Sequence, residues 1–387
     1  MDLSRSYSWE IPTRLIFGPG SSRQAGEQLK RLGGSKALVV TDRGVEAAGI
    51  LGGLLEGLSA ANVSYALYTG VEPNPSIRCV AEAAALYEAE GCDCLLGVGG
   101  GSSMDTAKAA GAMIANPGVD LRDMEGTGKV PNPIAPMIAV PTTCGTGSEV
   151  TVAAVITDTE RHYKIPILSP FLSPKVALID GSLVTRLPGP VVAATGMDAL
   201  CHAIESYTNL NTNPISDALD VKAISLIAEW IRPATANANL EAMSHMLLAA
   251  TMAGMGFSNT RLTIVHSMSQ PVGGHYGVPH GVANAILLPL VMEFNLIGNP
   301  HRFADVARAM GEDTTGLTPM EAARLSVQAV RQLSKDLGIP ESFKPFGVKE
   351  ESIPALVEDS MRSGNVPVNP VRVTREALAE ILRKSMQ

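Results

Sequence analysis

The sequence predicts an α/β N-terminal domain with an open, mostly parallel sheet, followed by an all-α C-terminal domain. Short apolar runs alternate with helix-length stretches through the first half of the chain. That alternation ends at Leu187-Pro188-Gly189-Pro190, and long helical patterns fill the rest. The 387 residues exceed a usual domain of about 150, and the change of character divides them into 1–186 and 187–387.

The elements follow in order. KALVVT at 36–41 reads as a buried strand, with a helix over 47–61. A second strand is expected over 64–69, a helix over 77–90 and a third strand over 94–98. A helix over 102–115 and strands over 136–140 and 176–180 complete the half. Strands separated by helices pair in parallel through crossover connections. In the second half, helices are expected over 191–207, 216–232, 240–257, 319–337 and 374–385. The second of these should stop at Arg232, because Pro233 has no N–H to continue the ladder. Met243, Met246, Met252 and Met255 recur at helical spacing and read as core.

Composition narrows the function. Hydrophobic residues make up 45% and charged residues 18%, which suits a packed globular enzyme and not a disordered chain. Lys+Arg 30 against Asp+Glu 38 gives −8, which argues against nucleic acid or an anionic membrane surface as partner. Five cysteines are too few and odd for a disulfide scaffold and point to the reducing cytoplasm. The start, Met1-Asp2-Leu3-Ser4-Arg5-Ser6, lacks the apolar stretch of a signal peptide. The longest apolar runs, such as 282–294, contain polar residues or proline and fall short of the roughly 18 needed to span a bilayer. The expected partner is a small molecule.

Two nucleotide cues lie in the first half. Gly97-Val98-Gly99-Gly100-Gly101-Ser102-Ser103 follows an expected strand and opens the helix carrying Asp105 and Lys108. Glycines there let a pyrophosphate approach the free amides of a helix start. Met104 occupies the last glycine position of the G-x-G-x-x-G pattern, so a plain strand–turn–helix junction fits as well. Asp42 ends the strand at 36–41 and could accept a ribose diol while repelling a 2′-phosphate. It precedes the glycine turn instead of following it, so the ordinary order is broken and a simple turn residue is an equal reading.

The second half holds a candidate metal set. Asp198 and His202, four apart, share one face of an expected helix. His266, His275 and His280 fall within fifteen positions of a chain with only seven histidines. Imidazoles with one carboxylate suit Fe²⁺ or Zn²⁺. A D-x-x-x-H pair alone is more often a helix surface pair, and the clustering of histidines brings metal binding to an even reading. His162, His245 and His301 read as surface or satisfied core, and Cys92 and Cys94 as buried strand cysteines. The absence of G-x-S-x-G counts against an α/β-hydrolase.

Taken together, Gly99-Gly100-Gly101-Ser102 with Asp105 and Lys108, Pro141-Thr142-Thr143 through Gly147-Ser148-Glu149-Val150-Thr151, Gly196-Met197-Asp198-Ala199 with His202, and Pro279-His280-Gly281-Val282-Ala283-Asn284 resemble the iron-dependent (group III) alcohol dehydrogenases over essentially the whole chain. The resemblance implies a nucleotide-binding α/β domain, a helical metal-binding catalytic domain, and transfer of a hydride between a small primary alcohol, or its aldehyde, and NAD(H). It implies Fe²⁺, alternatively Zn²⁺, held by Asp198, His202, His266 and His280. Its nucleotide contacts carry over to Asp42, Gly99, Gly100, Gly101, Ser102, Asp105, Thr142, Thr143 and Thr151, with Asn74 and Lys164 as further candidates. An acidic residue at Asp42 favours NAD over NADP. A homodimer paired through an N-terminal strand is also implied, and residues 8–17 resemble that strand. Many members carry a second histidine four residues after the first of the late cluster; here it is Gln270, which cannot carry a proton at neutral pH. His275 is the candidate substitute. A zinc polyol dehydrogenase of the glycerol type, a lyase like dehydroquinate synthase and a non-redox metal protein are the alternatives.

Overall fold

The computed structural model describes residues 6–161 and 163–387; His162 and the first five residues, on which two of the readings above fall, lie outside them. The strands are β1 (Arg14–Phe17), β2 (Lys36–Val40), β3 (Ser64–Tyr68), β4 (Cys94–Gly99), β5 (Gly126–Thr127), β6 (Met137–Pro141), β7 (Ala153–Asp158), β8 (Tyr163–Leu168) and β9 (Val176–Ile179). Among them lie helices α1 (Ala25–Arg31), α2 (Arg43–Ala47), α3 (Gly52–Ala60), α4 (Ile77–Ala89) and α5 (Gly101–Ala115). The chain then forms α6 (Gly189–Thr208), α7 (Pro214–Ala236), α8 (Leu240–Thr260), α9 (Ile264–Tyr276), α10 (His280–Asn295), α11 (Pro300–Ala309), α12 (Pro319–Asp336), α13 (Ile353–Met361) and α14 (Arg375–Ser385). Two compact units result, Ile11–Arg186 and Leu187–Gln387. Residues 6–10 group with the second, where the Glu10 N–H donates to Asn259 Oδ1 at 2.9 Å.

The first unit is built on six parallel strands in the order β1-β9-β6-β4-β2-β3. Alternate residues serve opposite faces: Ala37 and Val39 pack with Leu29 and Leu54, while Leu38 and Val40 pack with Val80 and Met104. Both faces are covered, which is why these strands read as unbroken apolar runs. β2 lies beside β4 although β3 and α4 come between them in sequence. The carboxyl ends of β2 and β4 therefore meet where the strand order reverses, the usual ligand position of such sheets.

Several expectations need correction. The helix expected over 47–61 is two helices, because Asp42 caps an earlier start and the chain turns at Gly49, whose φ is +69°. A three-stranded sheet, β5-β8-β7, goes unpredicted. Its antiparallel β7–β8 pair buries Ala154, Ile156, Ile165 and Ile167 in the core shared with α4 and α5. The strand anticipated within residues 8–17 covers only Arg14–Phe17, and it pairs in parallel with β9 as a sheet edge.

The second unit is helical. α7 does not stop at Arg232 but continues through Pro233 to Ala236. Proline so near the end costs one helical hydrogen bond, and the final turn still buries Ala234 and closes by Asn237 N–H to Pro233 O. Of the four methionines, Met243 and Met246 are fully buried and Met252 and Met255 half-buried. Among the described residues, no helix is long and apolar enough to cross a membrane.

Candidate active site

In the first unit, β4 delivers the glycine turn onto α5. Gly99 has φ +151°, and a Cβ there would stand 2.3 Å from Ser103 Oγ. Only glycine fits. Gly100 caps α5 without a side-chain acceptor, so the first amides of this helix stay open to an anion. Thr142 N–H donates to Gly99 O at 2.9 Å, and the buried Thr143 Oγ1 has no hydrogen-bond partner among the described residues.

Asp42 belongs to this site through the sheet and not through sequence order. Pairing of β2 with β4 brings its Oδ2 to 3.5 Å from Ser103 Oγ. Its Oδ1 accepts the N–H groups of Gly44 and Val45, so it is also the N-cap of α2. The turn-residue reading of Asp42 holds, and its second oxygen faces the glycine turn. Lys164 Nζ donates to Asn74 Oδ1 at 2.8 Å, joining those two candidates; Asn74 takes a left-handed φ of 54°.

Asp105 and Thr151 are already engaged within the protein. Asp105 accepts Ser148 Oγ and Val155 N–H, and burial raises its pKa against the opposing pull of Lys108. Lys108 is fully buried, with Nζ within 3.1 Å of acceptors on Ser148, Thr151 and Ala153. Burial lowers its pKa to about 8. Lys108 thus pins the 148–153 segment beside the glycine turn, a role not evident from its place in a motif.

The second unit gathers the metal candidates. Asp198 and His202 lie one turn apart on α6, His266 near the start of α9, and His280 at the first position of α10. α10 begins against α6 because Gly281 lacks a Cβ, which would lie 2.2 Å from Ala194 O. Asp198 Oδ1 is 3.8 Å from His202 Nε2 and 3.7 Å from Nε2 of both His266 and His280. Ligands of one ion at bonds of about 2.1 Å stand roughly 3–3.5 Å apart. Small shifts would therefore close Asp198, His202 and His266, whose ligand atoms all lie within 4.8 Å of one another, on a cation, with His280 Nε2 3.7 Å from Asp198 beside them.

Two residues missed from the sequence complete the cluster. Asn284, one turn after His280, donates from Nδ2 to Asp198 Oδ1 (2.6 Å) and stands 3.0 Å from His266 Nε2 and 3.2 Å from His280 Nε2, while its buried Oδ1 has no partner among the described residues. Glu205, two turns after Asp198 on the same face of α6, bonds His266 Nδ1. The 198, 202, 205 spacing was the available signal for it. Burial opposes the charge on both carboxylates, yet the neighbouring histidines hold Asp198 well below the usual range, and His266 chiefly lowers Glu205. His266 is pushed up to about 9; burial works against this, and Glu205 and Asp198 overcome it. Two buried carboxylates among imidazoles form a pocket whose surplus negative charge suits a divalent cation.

The structure does not bring the catalytic candidates into this cluster. His275 is exposed near the end of α9, with Nε2 3.1 Å from Asp359 Oδ2. Gln270 is half-buried, one turn after His266. His245 stacks on Trp230 at 4.3 Å, and Cys92 and Cys94 are buried free thiols, although Cys92 precedes its strand.

Comparison with known proteins gives this geometry its context. A family model described as iron-containing alcohol dehydrogenase matches residues 12–181, and one described as the C-terminal part of the Fe-containing alcohol dehydrogenase family matches residues 192–386. The chain belongs to the iron-containing alcohol dehydrogenase family. The 1,3-propanediol dehydrogenase of Citrobacter freundii is 42% identical over 384 residues, spanning 98% of this chain and 99% of that protein. The NAD-dependent methanol dehydrogenase of Bacillus methanolicus is 38% identical over 377 residues, 97% and 99% of the two chains. The solved alcohol dehydrogenase from Oenococcus oeni superposes with a TM-score of 0.95 at 43% identity, covering 98% of this chain and all of that one. As a member of this family, the chain is an NAD-dependent oxidoreductase acting on a CH–OH group, and Fe²⁺ is the metal that fits the family.

Proposed function

We propose that the chain interconverts a small primary alcohol and its aldehyde, with Fe²⁺, alternatively Zn²⁺, held by Asp198, His202, His266 and His280. The observation that carries this is the convergence of Asp198 with the Nε2 atoms of buried His202 and His266, and of half-buried His280 at its side, around one carboxylate oxygen. The bound ion supplies Lewis acidity, which favours the deprotonated alcohol and polarises the carbonyl in reverse.

The chain's own residues do the rest. The glycine turn and the open amides of α5 hold the NAD pyrophosphate, Asp42 takes the ribose diol, and Thr142 and Thr143 line the turn. Asp105 and Thr151 act on the nucleotide through the loop that Lys108 anchors. Asn74 and Lys164 add a polar pair. Gln270 offers a hydrogen bond to substrate but no proton transfer, and His275 serves its surface pair with Asp359. In this reading the first unit binds NAD and the second carries the metal. The relatives named for 1,3-propanediol and methanol support small primary alcohols as the first substrates to try. We further assign a homodimer in the cytoplasm, joined through β1, a sheet edge whose Leu15 and Phe17 are exposed.

The test is NADH formation by metal-stripped protein, prepared without oxygen, from a panel of primary alcohols with Fe²⁺, Zn²⁺ or neither. Fe²⁺ should restore turnover in the wild type and not in Asp198→Ala. Turnover that survives without metal would refute the reading.

A further inference from the structure

Glu205 presents its two oxygens to different groups. Oε1 accepts Thr263 N–H at 3.0 Å, Val265 N–H at 2.9 Å and the Thr263 hydroxyl. Oε2 meets His266 Nδ1 and, at 3.7 Å, the thiol of Cys201. The residue is 2% exposed, so these partners are shielded from bulk water. On the opposite side of the His266 ring, Asn284 Nδ2 lies 3.0 Å from Nε2.

We propose that Glu205 is a positioning residue that decides which nitrogen of His266 faces the metal. The inference rests on the ligand assignment above and deepens it. A neutral imidazole carries one proton, on either nitrogen, and binds metal through the other. A carboxylate can only accept, so Glu205 draws the ring proton to Nδ1. The Nε2 lone pair is then left toward Asp198, His202 and His280. A carboxylate behind a ligating histidine raises its basicity and fixes its ring.

The contacts also dictate what Glu205→Gln would do. Three donors converge on the Oε1 position, so the glutamine oxygen must remain there. Its NH₂ then occupies the Oε2 position and points a donor at Nδ1. That arrangement favours the proton on Nε2, where it blocks the metal, in a side chain of nearly the same shape.

The experiment titrates metal-free wild type and Glu205→Gln with Zn²⁺ against a competing chelator. Zn²⁺ should bind the variant about 10–100-fold more weakly, with NADH affinity unchanged. In Zn²⁺-loaded wild type labelled with ¹⁵N-histidine, His266, identified by its loss in His266→Gln, should carry its proton on Nδ1 and bind through Nε2. This measurement needs no Glu205 variant and decides the matter even if Glu205→Gln does not fold. Wild-type affinity in a folded Glu205→Gln, or a His266 bound through Nδ1, would overturn the proposal. A wild type that takes up neither Zn²⁺ nor Fe²⁺ would instead defeat the ligand assignment itself.

Discussion

Asp42 accepts the backbone N–H of Gly44 at 2.8 Å through one carboxylate oxygen and turns the other toward Ser103 at 3.5 Å. One side chain thereby starts a helix and places a negative charge beside the glycine turn. The two duties can be separated, because serine caps helices about as well as aspartate but carries no charge.

Asp42→Ser should therefore leave melting nearly unchanged while relaxing the preference for NAD⁺ over NADP⁺. A tenfold or larger rise in the NADP⁺ to NAD⁺ ratio of kcat/KM is expected, the equivalent of about 1.4 kcal/mol of repulsion removed. Steady-state kinetics with both cofactors check it. An unchanged ratio would show that Asp42 is only a cap.

In the helical unit, α8 approaches α7 closely enough that a Cβ on Gly256 would stand 2.0 Å from Asp220 Oδ1. Asp220 cannot step aside, since it is fully buried and its other oxygen is held by Ser206. Gly256→Ala should cost about 1–3 kcal/mol through overpacking, against a helix-propensity gain of about 1 kcal/mol. In an Asp220→Ala background the clash disappears and the same change should be neutral or stabilising. Urea unfolding of the four proteins gives the coupling energy; equal costs in both backgrounds would count against the packing account.

Asp158 is buried at the end of β7, where Arg122 donates to it at 2.7 Å and the N–H groups of Glu160 and Arg161 add two more bonds. The Arg122 hydrogen bond is the main reason its pKa is lowered to about 2. Because the folded value lies below the unfolded one, the stabilisation is complete above the ordinary carboxylate range and is lost as pH falls through about 2. Asp158→Asn should be less stable than wild type at pH 7, and the gap should narrow steadily below about pH 5. Denaturant midpoints of both proteins from pH 7 to pH 3 test this; a gap independent of pH would exclude the ionic explanation.

Much of the fold is legible in the sequence where periodicity is local. KALVVT had to be a buried strand, because a parallel sheet covered on both faces tolerates no polar alternation. The β7–β8 hairpin escaped notice because its half-buried alternation is short and includes Pro166. The stop expected at Pro233 failed because a proline in the last turn forfeits little, and burial of Ala234 compensates.

The site divides in the same way. Asp198 and His202 were paired by helical spacing, and the four motifs together identified the family. By itself, then, the sequence determined the fold class, the reaction class and the ligand candidates, because these depend on residue types and short intervals along the chain. Tertiary structure alone decided that Asp42 joins the glycine turn, since that requires β2 to pair with β4 across an intervening strand and helix. It alone set Glu205 behind His266 and Asn284 before it, and sent His275 to Asp359. Those contacts join residues 18 to 84 positions apart, and no local pattern reports which distant group fills a buried hydrogen bond.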